Sequence, residues 1–463
     1  MLDLLIRGGQ ACLPGRGMQP VDIGVEQGRI VFIGNHGAPE ARREIDARGL
    51  VVLPGAIEPH MHYGVYMPYD DDCRTESRCA ATGGVTTVLS YFRHGKDYPD
   101  TVEDLIRRGE AQVAVDFGLH IGILSTDHIE QMGVLYRRFG ISSFKFYTNY
   151  MYQVPELFKV PEEKALRLDD GDMGYVLQRM GAELPTATLC VHCESMEISR
   201  SPLFHREWDA LPDKDTLGWY EKRSPDYAET VSALAAALLA RKFRAKAYLV
   251  HTSAGLTADM LTPLLQDEET RRYVTVETCP HYLASTVESE AGLLAKVNPP
   301  VRYREDSERL WEGIREGTVG SIGTDHCNSS FEKKGGRTEQ SKVKPGFGGV
   351  GLLLPLMISE GYHKRGLSLE RIAEVTSTNP ARVFGLTDKG RIAEGCDADF
   401  ALVDLESEFT VKASELNSAS DYSIYEGMRL KGRPVMTICR GNVVMDHGEI
   451  CVAPGAGRYV GRK

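Results

Sequence analysis

Eight short apolar segments rich in β-branched residues recur through the middle of this chain, and stretches with helical spacing of apolar residues separate them. Such alternation is typical of a parallel sheet whose consecutive strands are connected by helices. Eight is the number of strands that closes a TIM-type barrel, so the sequence predicts an α/β fold built on a TIM-type (β/α)8 barrel. The predicted strands are residues 51–57, 85–91, 117–124, 142–146, 188–192, 247–251, 274–278 and 320–323.

The two ends of the chain differ from the middle, because short strand-like segments there are separated by glycine-containing turns. Chain termini of a large domain often lie close together, so we expect both ends to pair in one small β-sandwich. The predicted division gives residues 1–54 and 395–463 to the sandwich and residues 55–394 to the barrel.

The charge and cysteine content narrow the expected partners and location. A formal net charge of −11 argues against nucleic acid and an anionic membrane surface, which leaves a small-molecule substrate. No stretch approaches the roughly 18 consecutive apolar residues of a membrane-spanning helix. The N-terminal segment has an acidic residue at position 3 and does not resemble a signal peptide. The ten cysteines are therefore expected to be reduced thiols of a cytoplasmic protein.

Two histidines separated by one residue, His60 and His62, follow the first predicted strand. In an extended backbone such side chains lie on one face, so both imidazoles can reach one point, as metal ligands do. The pair could equally be exposed, or packed and hydrogen-bonded without a metal. The rest of the chain must supply further ligands if a metal binds here.

Further candidate ligands lie at the carboxyl ends of other predicted strands, where TIM-type barrels carry their chemistry. Taken singly, His192 and His251 could be core histidines, and Asp325 could cap a helix. Lys145 lies between two aromatic residues in a strand, so it must be exposed, paired or chemically changed. Their shared position at strand ends indicates one site formed together with His60 and His62.

Nine motifs spread along the chain match one known family together, although each alone is a weak signal. They are GAIEPHMH at 55–62, SFKF at 143–146, VHCE at 191–194, VHTS at 250–253, TCPHY at 278–282, KVNPPVR at 296–302, GTDHC at 323–327, TNPAR at 378–382 and KGRI at 389–392. With these motifs the chain resembles the amidohydrolase superfamily, in the branch of dihydropyrimidinases, hydantoinases, allantoinases and dihydroorotases. The resemblance covers nearly the whole chain.

The resemblance implies a site with two divalent metal ions, usually zinc, that hydrolyses the amide bond of a cyclic amide, imide or ureide. Lys145 would be carboxylated and bridge the metals, Asp325 would move the proton from the attacking water to the departing nitrogen, and Tyr150 would bind the oxyanion. The implied metal ligands are His60, His62 and Asp325 for one ion, His192 and His251 for the other, and carboxylated Lys145 for both.

The identity of the ring is less constrained than the chemistry. Dihydroorotases carry an arginine two residues after the second histidine, and here Gly64 occupies that position, which disfavours a carboxylate-bearing ring. His281 and Asn298, two candidate substrate-binding residues, favour allantoinases and dihydroorotases over hydantoinases. The long loop 149–174 is expected to be a substrate lid.

Two alternatives to a hydantoinase-like or dihydropyrimidinase-like hydrolase therefore remain. One is an allantoinase-like or dihydroorotase-like enzyme, and the other is a non-catalytic scaffold of the same fold that has lost its metals. Relatives also suggest a homo-oligomer, as a tetramer or a dimer.

Overall fold

The computed structural model describes residues 1–462, and eighteen strands in two sheets lie within this range. In chain order they are β1 (Leu2–Leu13), β2 (Gly17–Glu26), β3 (Arg29–Gly34), β4 (Ala41–Asp46), β5 (Val51–Pro54), β6 (Ala56–His62), β7 (Val85–Phe92), β8 (Asp116–Gly122), β9 (Ser143–Tyr147), β10 (Thr188–His192), β11 (Lys246–Leu249), β12 (Val274–Thr278), β13 (Val319–Ile322), β14 (His326–Cys327), β15 (Phe400–Thr410), β16 (Arg429–Cys439), β17 (Asn442–Asp446) and β18 (Glu449–Ile450).

Helices connect the strands of the middle region, as the spacing of apolar residues predicts. They are α1 (Tyr69–Thr82), α2 (Pro99–Glu110), α3 (Thr126–Phe139), α4 (Val154–Phe158), α5 (Asp170–Glu183), α6 (Met196–Ser199), α7 (Pro202–Asp209), α8 (Leu217–Lys222), α9 (Asp226–Phe243), α10 (Gly255–Leu265), α11 (Glu268–Tyr273), α12 (Pro280–Ala284), α13 (Arg304–Glu316), α14 (Phe331–Lys334), α15 (Leu353–Leu356), α16 (Leu369–Ala373) and α17 (Asn379–Phe384). None of the helices within residues 1–462 has the length and apolar character that crossing a bilayer requires.

The middle of the chain forms the predicted parallel barrel. Its strands follow the order β13-β12-β11-β10-β9-β8-β7-β6-β14, and all of these pairings are parallel. β13 and β14 stand at opposite ends of this strand order, yet only residues 323–325 separate them in the chain. The two edges of the sheet therefore meet, and the barrel closes. The eighth barrel strand is therefore interrupted just before its carboxyl end, and Asp325 lies in the interruption.

The prediction of one barrel strand at residues 51–57 is wrong in one respect. The structure divides this segment at Gly55, and its two parts belong to different sheets. β5 pairs with β15 in the outer sheet, whereas β6 pairs with β7 in the barrel. A Cβ atom on Gly55 would lie 2.3 Å from Oγ1 of Thr86, so only glycine allows this close crossing. As a result His60 and His62 lie inside a barrel strand and not beyond its end.

Both ends of the chain contribute to the outer sheet, which has the order β18-β17-β16-β15-β5-β1-β2-β3 with β4 paired to β1. Antiparallel pairing of β5 with β15 joins the N-terminal and C-terminal strands. A separate apolar cluster that includes Ile6, Ile23 and Phe400 fills this unit. The predicted fold class is confirmed, and the domain limits at residues 54 and 394 stay a proposal.

Candidate active site

One cavity of about 120 Å³ lies at the carboxyl ends of the barrel strands. Residues two apart in a strand point to the same face, so β6 directs two imidazoles toward this cavity. The structure brings all six residues predicted as metal ligands together on its wall: His60, His62, Lys145, His192, His251 and Asp325.

The other four residues reach the cavity from four different strands. Lys145 lies at the centre of β9, His192 is the last residue of β10, and His251 follows β11 by two residues. The backbone φ angles of His251 and Asp325 are +42° and +49°. Few non-glycine residues adopt this left-handed conformation, although histidine and aspartate are enriched among those that do.

His60, His62 and Asp325 form the tightest cluster, in which one ligand atom from each lies within 4.8 Å of the others. Oδ1 of Asp325 is 2.9 Å from Nε2 of His62 and 3.2 Å from Nε2 of His60. Burial raises the pKa of Asp325, but the two imidazoles outweigh burial and hold it well below its ordinary value. Burial lowers the pKa of His62 to about 4, so at neutral pH a carboxylate faces a neutral imidazole.

Glu277, at the end of β12, fixes the orientation of His60. Nδ1 of His60 donates to Oε1 of Glu277 at 2.7 Å, and both side chains are buried. A carboxylate only accepts, so Nδ1 carries a proton and Nε2 faces Asp325. Burial lowers the pKa of His60, but Glu277 and Asp325 outweigh burial and raise it. Nε2 of His60 and Oδ1 of Asp325 lie 3.2 Å apart, and both atoms are of types that bind divalent cations.

Lys145, His192 and His251 form the other half of the cluster. The rings of His192 and His251 are 4.4 Å apart, measured between centroids. Nζ of Lys145 is buried, has no hydrogen-bond partner among the described residues, and lies 4.5 Å from the ring centroid of Tyr91. Burial lowers the pKa of Lys145 to about 8 and that of His251 well below its ordinary value.

Buried nitrogen atoms without a partner provide the test of whether this site fits metal ions. Within residues 1–462 they include Nε2 of His60, Nδ1 of His62, Nδ1 of His251 and Nζ of Lys145. Buried polar atoms are normally paired, and four unpaired nitrogens around one cavity are an unusual concentration. Imidazole and carboxylate groups are preferred ligands of zinc and related divalent cations, so the residues fit a metal centre.

The predicted substrate-binding residues are placed differently from one another. Tyr150 ends a short 3-10 helix that follows β9, and both Tyr150 and Asn298 line the cavity. His281 does not line it, because its ring is buried against Tyr282 and Phe347. Substrate binding by His281 stays a prediction, and this position gives it no direct contact with the cavity.

Known proteins share both the sequence and the fold of this chain. The sequence model of the Amidohydrolase family matches residues 224–444. An allantoinase from Rubrobacter xylanophilus is 35% identical over 99% of this chain and 97% of its own length. A dihydroorotase from Methanothermobacter thermautotrophicus is 34% identical over 95% of this chain and 94% of its own. The chain belongs to the amidohydrolase family.

Solved structures agree with this assignment. A D-hydantoinase from a Bacillus species superposes on this amidohydrolase with a TM-score of 0.87 at 26% identity, and covers 99% of both chains. An L-hydantoinase from Arthrobacter aurescens gives 0.87 at 28% identity with the same coverage. The amidohydrolase is therefore a hydrolase that opens a C–N bond of a cyclic amide, in the cyclic amidohydrolase branch. All six residues predicted as metal ligands line the cavity.

Two residues of the amidohydrolase site were missed in the sequence. Arg93 directly follows β7 and lines the cavity, and Glu277 holds His60 from β12. Both lie at or near the carboxyl end of a predicted barrel strand, so the positional rule that found the ligands also covered them. From the sequence alone, however, a charged residue at a strand end that is buried against a ligand cannot be distinguished from one that is exposed to solvent.

Proposed function

We propose that this enzyme hydrolyses the ring amide of a hydantoin-type or dihydropyrimidine-type cyclic ureide with two divalent cations, most simply zinc. The observation that supports this most strongly is the set of unpaired buried nitrogens on one cavity wall. In this proposal His60, His62 and Asp325 hold one cation, His192 and His251 hold the other, and carboxylated Lys145 bridges them.

Carboxylation of Lys145 would explain its surroundings. The neutral amine attacks the carbon of CO2, a proton leaves the nitrogen, and the product is a carbamate with one negative charge and two oxygen atoms. A buried ammonium without a partner is costly, whereas a buried anion between two cations is compensated. The unpaired Nζ and its lowered pKa support this step.

Divalent cations in this site would polarise a ring carbonyl and lower the pKa of water from 15.7 to about 7. The carboxylate of Asp325 takes the proton of the attacking water and delivers it to the departing ring nitrogen. A positioned acid–base group of this kind contributes about 10² to 10⁴ in rate. Asp325 suits this role by position, because its carboxylate lies at the cavity wall beside His60 and His62.

Tyr150 and Asn298 are proposed to bind the ring. Nη2 of Arg93 donates to the Tyr150 hydroxyl oxygen at 3.2 Å, which leaves the hydroxyl hydrogen free to donate to an oxyanion in the cavity. The Tyr220 hydroxyl donates to Oδ1 of Asn298. The amide hydrogens of Asn298 are then available for a ring carbonyl.

A second candidate function is hydrolysis of allantoin or dihydroorotate. It is supported by the names of the two relatives at 35% and 34% identity, which exceed the 30% of a D-hydantoinase from Rhizobium radiobacter. Both candidate functions use the same ligands and the same proton transfer. They differ only in the contacts made by the ring substituent.

The experiment measures metal content and ring opening together, on hydantoin, dihydrouracil, allantoin, dihydroorotate and a cyclic imide. Lys145→Ala is expected to lose bound metal and to lower turnover at least about 100-fold. Mutation of a residue that only orients a metal ligand already lowers metal affinity or activity by about 10- to 100-fold. Lys242→Ala, at an exposed position of α9, is the matched control and should behave as the wild type. Two metals per chain and normal turnover in Lys145→Ala would refute the bridging role.

We also propose a cytoplasmic location and a homo-oligomer, as a tetramer or a dimer. The location is supported by the ten cysteines, all of which are free thiols. Sedimentation of the purified protein tests the oligomer, and a monomer at micromolar concentration would exclude it.

A further inference from the structure

Arg93 places a positive charge on the wall of the catalytic cavity. It directly follows β7 and lines the same cavity as His62 and Tyr150. Its guanidinium carbon lies 5.2 Å from the ring centroid of Tyr147 and 5.7 Å from that of Tyr150. Arginine stacks on aromatic faces, so the two rings hold the guanidinium at the cavity wall.

Arg93 forms no ion pair with the described residues. Among residues 1–462, no carboxylate oxygen lies within 4.0 Å of its nitrogen atoms, and its one hydrogen bond is to Tyr150. A guanidinium has five N–H donors, so most remain for a ligand. Two other arginines do have acidic partners: Arg302 contacts Glu221 at 3.0 Å, and Arg440 contacts Asp116 at 3.1 Å.

We propose that the cyclic substrate carries a carboxylate substituent, and that Arg93 binds it through two parallel N–H···O bonds. This inference rests on the proposed ring hydrolysis, because it assigns the substituent of that same substrate. Gly64, just after β6, has no side chain that could bind a substrate carboxylate. The guanidinium of Arg93 reaches the cavity from the end of β7, which is the neighbouring strand.

A planar carboxylate matches the geometry of this guanidinium. The guanidinium is a planar fork that matches the two oxygens of a carboxylate, and lysine lacks this geometry. The exposed Lys344, 5.3 Å from the ring centroid of Tyr66 at the cavity wall, adds positive charge nearby.

The test compares two rings that differ only in charge, hydantoin-5-acetate and hydantoin-5-acetamide, with the metal-loaded enzyme. The wild type is expected to favour the carboxylate by about 10- to 100-fold in kcat/KM, mainly through KM, because charge-assisted hydrogen bonds are about twice as strong as neutral ones. Arg93→Met should bring the ratio of the two values to about 1. Arg93→Lys should keep part of the preference, since it retains the charge without the fork.

Tyr150→Phe separates carboxylate binding from positioning of Tyr150. This variant should slow turnover of both rings and keep the preference for the carboxylate. If Arg93→Met instead slows both rings equally and keeps the preference, Arg93 only positions Tyr150 and the proposal is wrong. A wild type that does not prefer the carboxylate would also overturn it.

Calorimetric binding of both compounds keeps this test independent of catalysis. If the wild type opens no ring at all, the proposed function fails. The carboxylate contact would still be supported if the wild type bound hydantoin-5-acetate more tightly than the acetamide and Arg93→Met lost this difference. The variant must keep the metal content and circular dichroism spectrum of the wild type. Equal binding of the two compounds by the wild type would refute it.

Discussion

Glu277 orients two of the proposed metal ligands without being one of them. Its Oε1 accepts hydrogen bonds from Nδ1 of His60 and from the backbone N–H of His251, each at 2.7 Å. One carboxylate therefore orients a ligand from each half of the cluster. It also holds Nδ1 of His60, so that Nε2 faces Asp325 at the cavity wall.

Glu277→Gln is expected to weaken metal binding about 10- to 100-fold, because the amide accepts a weaker hydrogen bond from His60 and can present an N–H in its place. Titration of the bound metal with a chelator measures the change. Glu312→Gln, at an exposed position of α13, is the control and should bind metal as the wild type does. Equal chelator profiles for the two variants would show that Glu277 does not support the ligands.

The sequence was informative for residues with distinctive chemistry and uninformative for their supports. Four histidines, a lysine and an aspartate at strand ends led to the six cavity residues, because the barrel gathers strand ends in one place. Arg93 was missed although it follows a predicted strand, since an arginine after a strand is usually solvated. Its lack of an acidic partner is visible only in three dimensions.

At the scale of elements, the interruption between β13 and β14 controls the site. Gly323 begins it, and a Cβ atom there would lie 2.6 Å from Oε2 of Glu277 and 2.8 Å from Cβ of His60. These contacts are shorter than packed atoms allow, and both partners are buried. The eighth strand therefore needs glycine at this point to turn Asp325 into the cavity.

Gly323→Ala is expected to displace Glu277 or His60 and to lower metal affinity by about 10- to 100-fold. Gly320→Ala in the same strand is the matched control, because its Cβ would meet only Cγ2 of Thr275 at an ordinary 3.5 Å. Metal content after dialysis against a weak chelator compares the two. If Gly323→Ala retained metal as well as Gly320→Ala, the close packing would have no functional role.

The positions of strands were easier to predict than the sheets to which they belong. Residues 51–57 form one continuous apolar run, and its division at Gly55 depends on contacts with Thr86 and Asp399. Both partners are distant in sequence, so hydrophobic patterning cannot locate the crossing. The interruption of the eighth strand likewise involves distant partners, because the backbone N–H of Gly323 donates to Thr278 and that of Thr324 to Glu58.

At the scale of the whole molecule, a buried lysine joins the barrel to the outer sheet. Nζ of Lys389 lies 2.7 Å from Asp116 at the start of β8, and 2.7 Å from Asp399 directly before β15. Asp397 is 3.1 Å away, and all of these side chains are at most 3% exposed. Lys389 therefore contacts carboxylates from both structural units, and Arg440 also pairs with Asp116 and Arg458 with Asp397.

Lys389→Met is expected to lower the free energy of unfolding by about 3–5 kcal/mol, because it leaves the buried Asp399 without its cation and removes one of the cations at Asp116 and Asp397. Urea unfolding followed by circular dichroism measures this loss. Lys412→Met is the control, since Lys412 forms one exposed ion pair with Glu415 at 2.7 Å, and such pairs contribute little. Similar unfolding midpoints for the two variants would mean that the buried network does not hold the units together. A selective loss in Lys389→Met would show that the junction between barrel and outer sheet is stabilised by charge as well as by apolar packing.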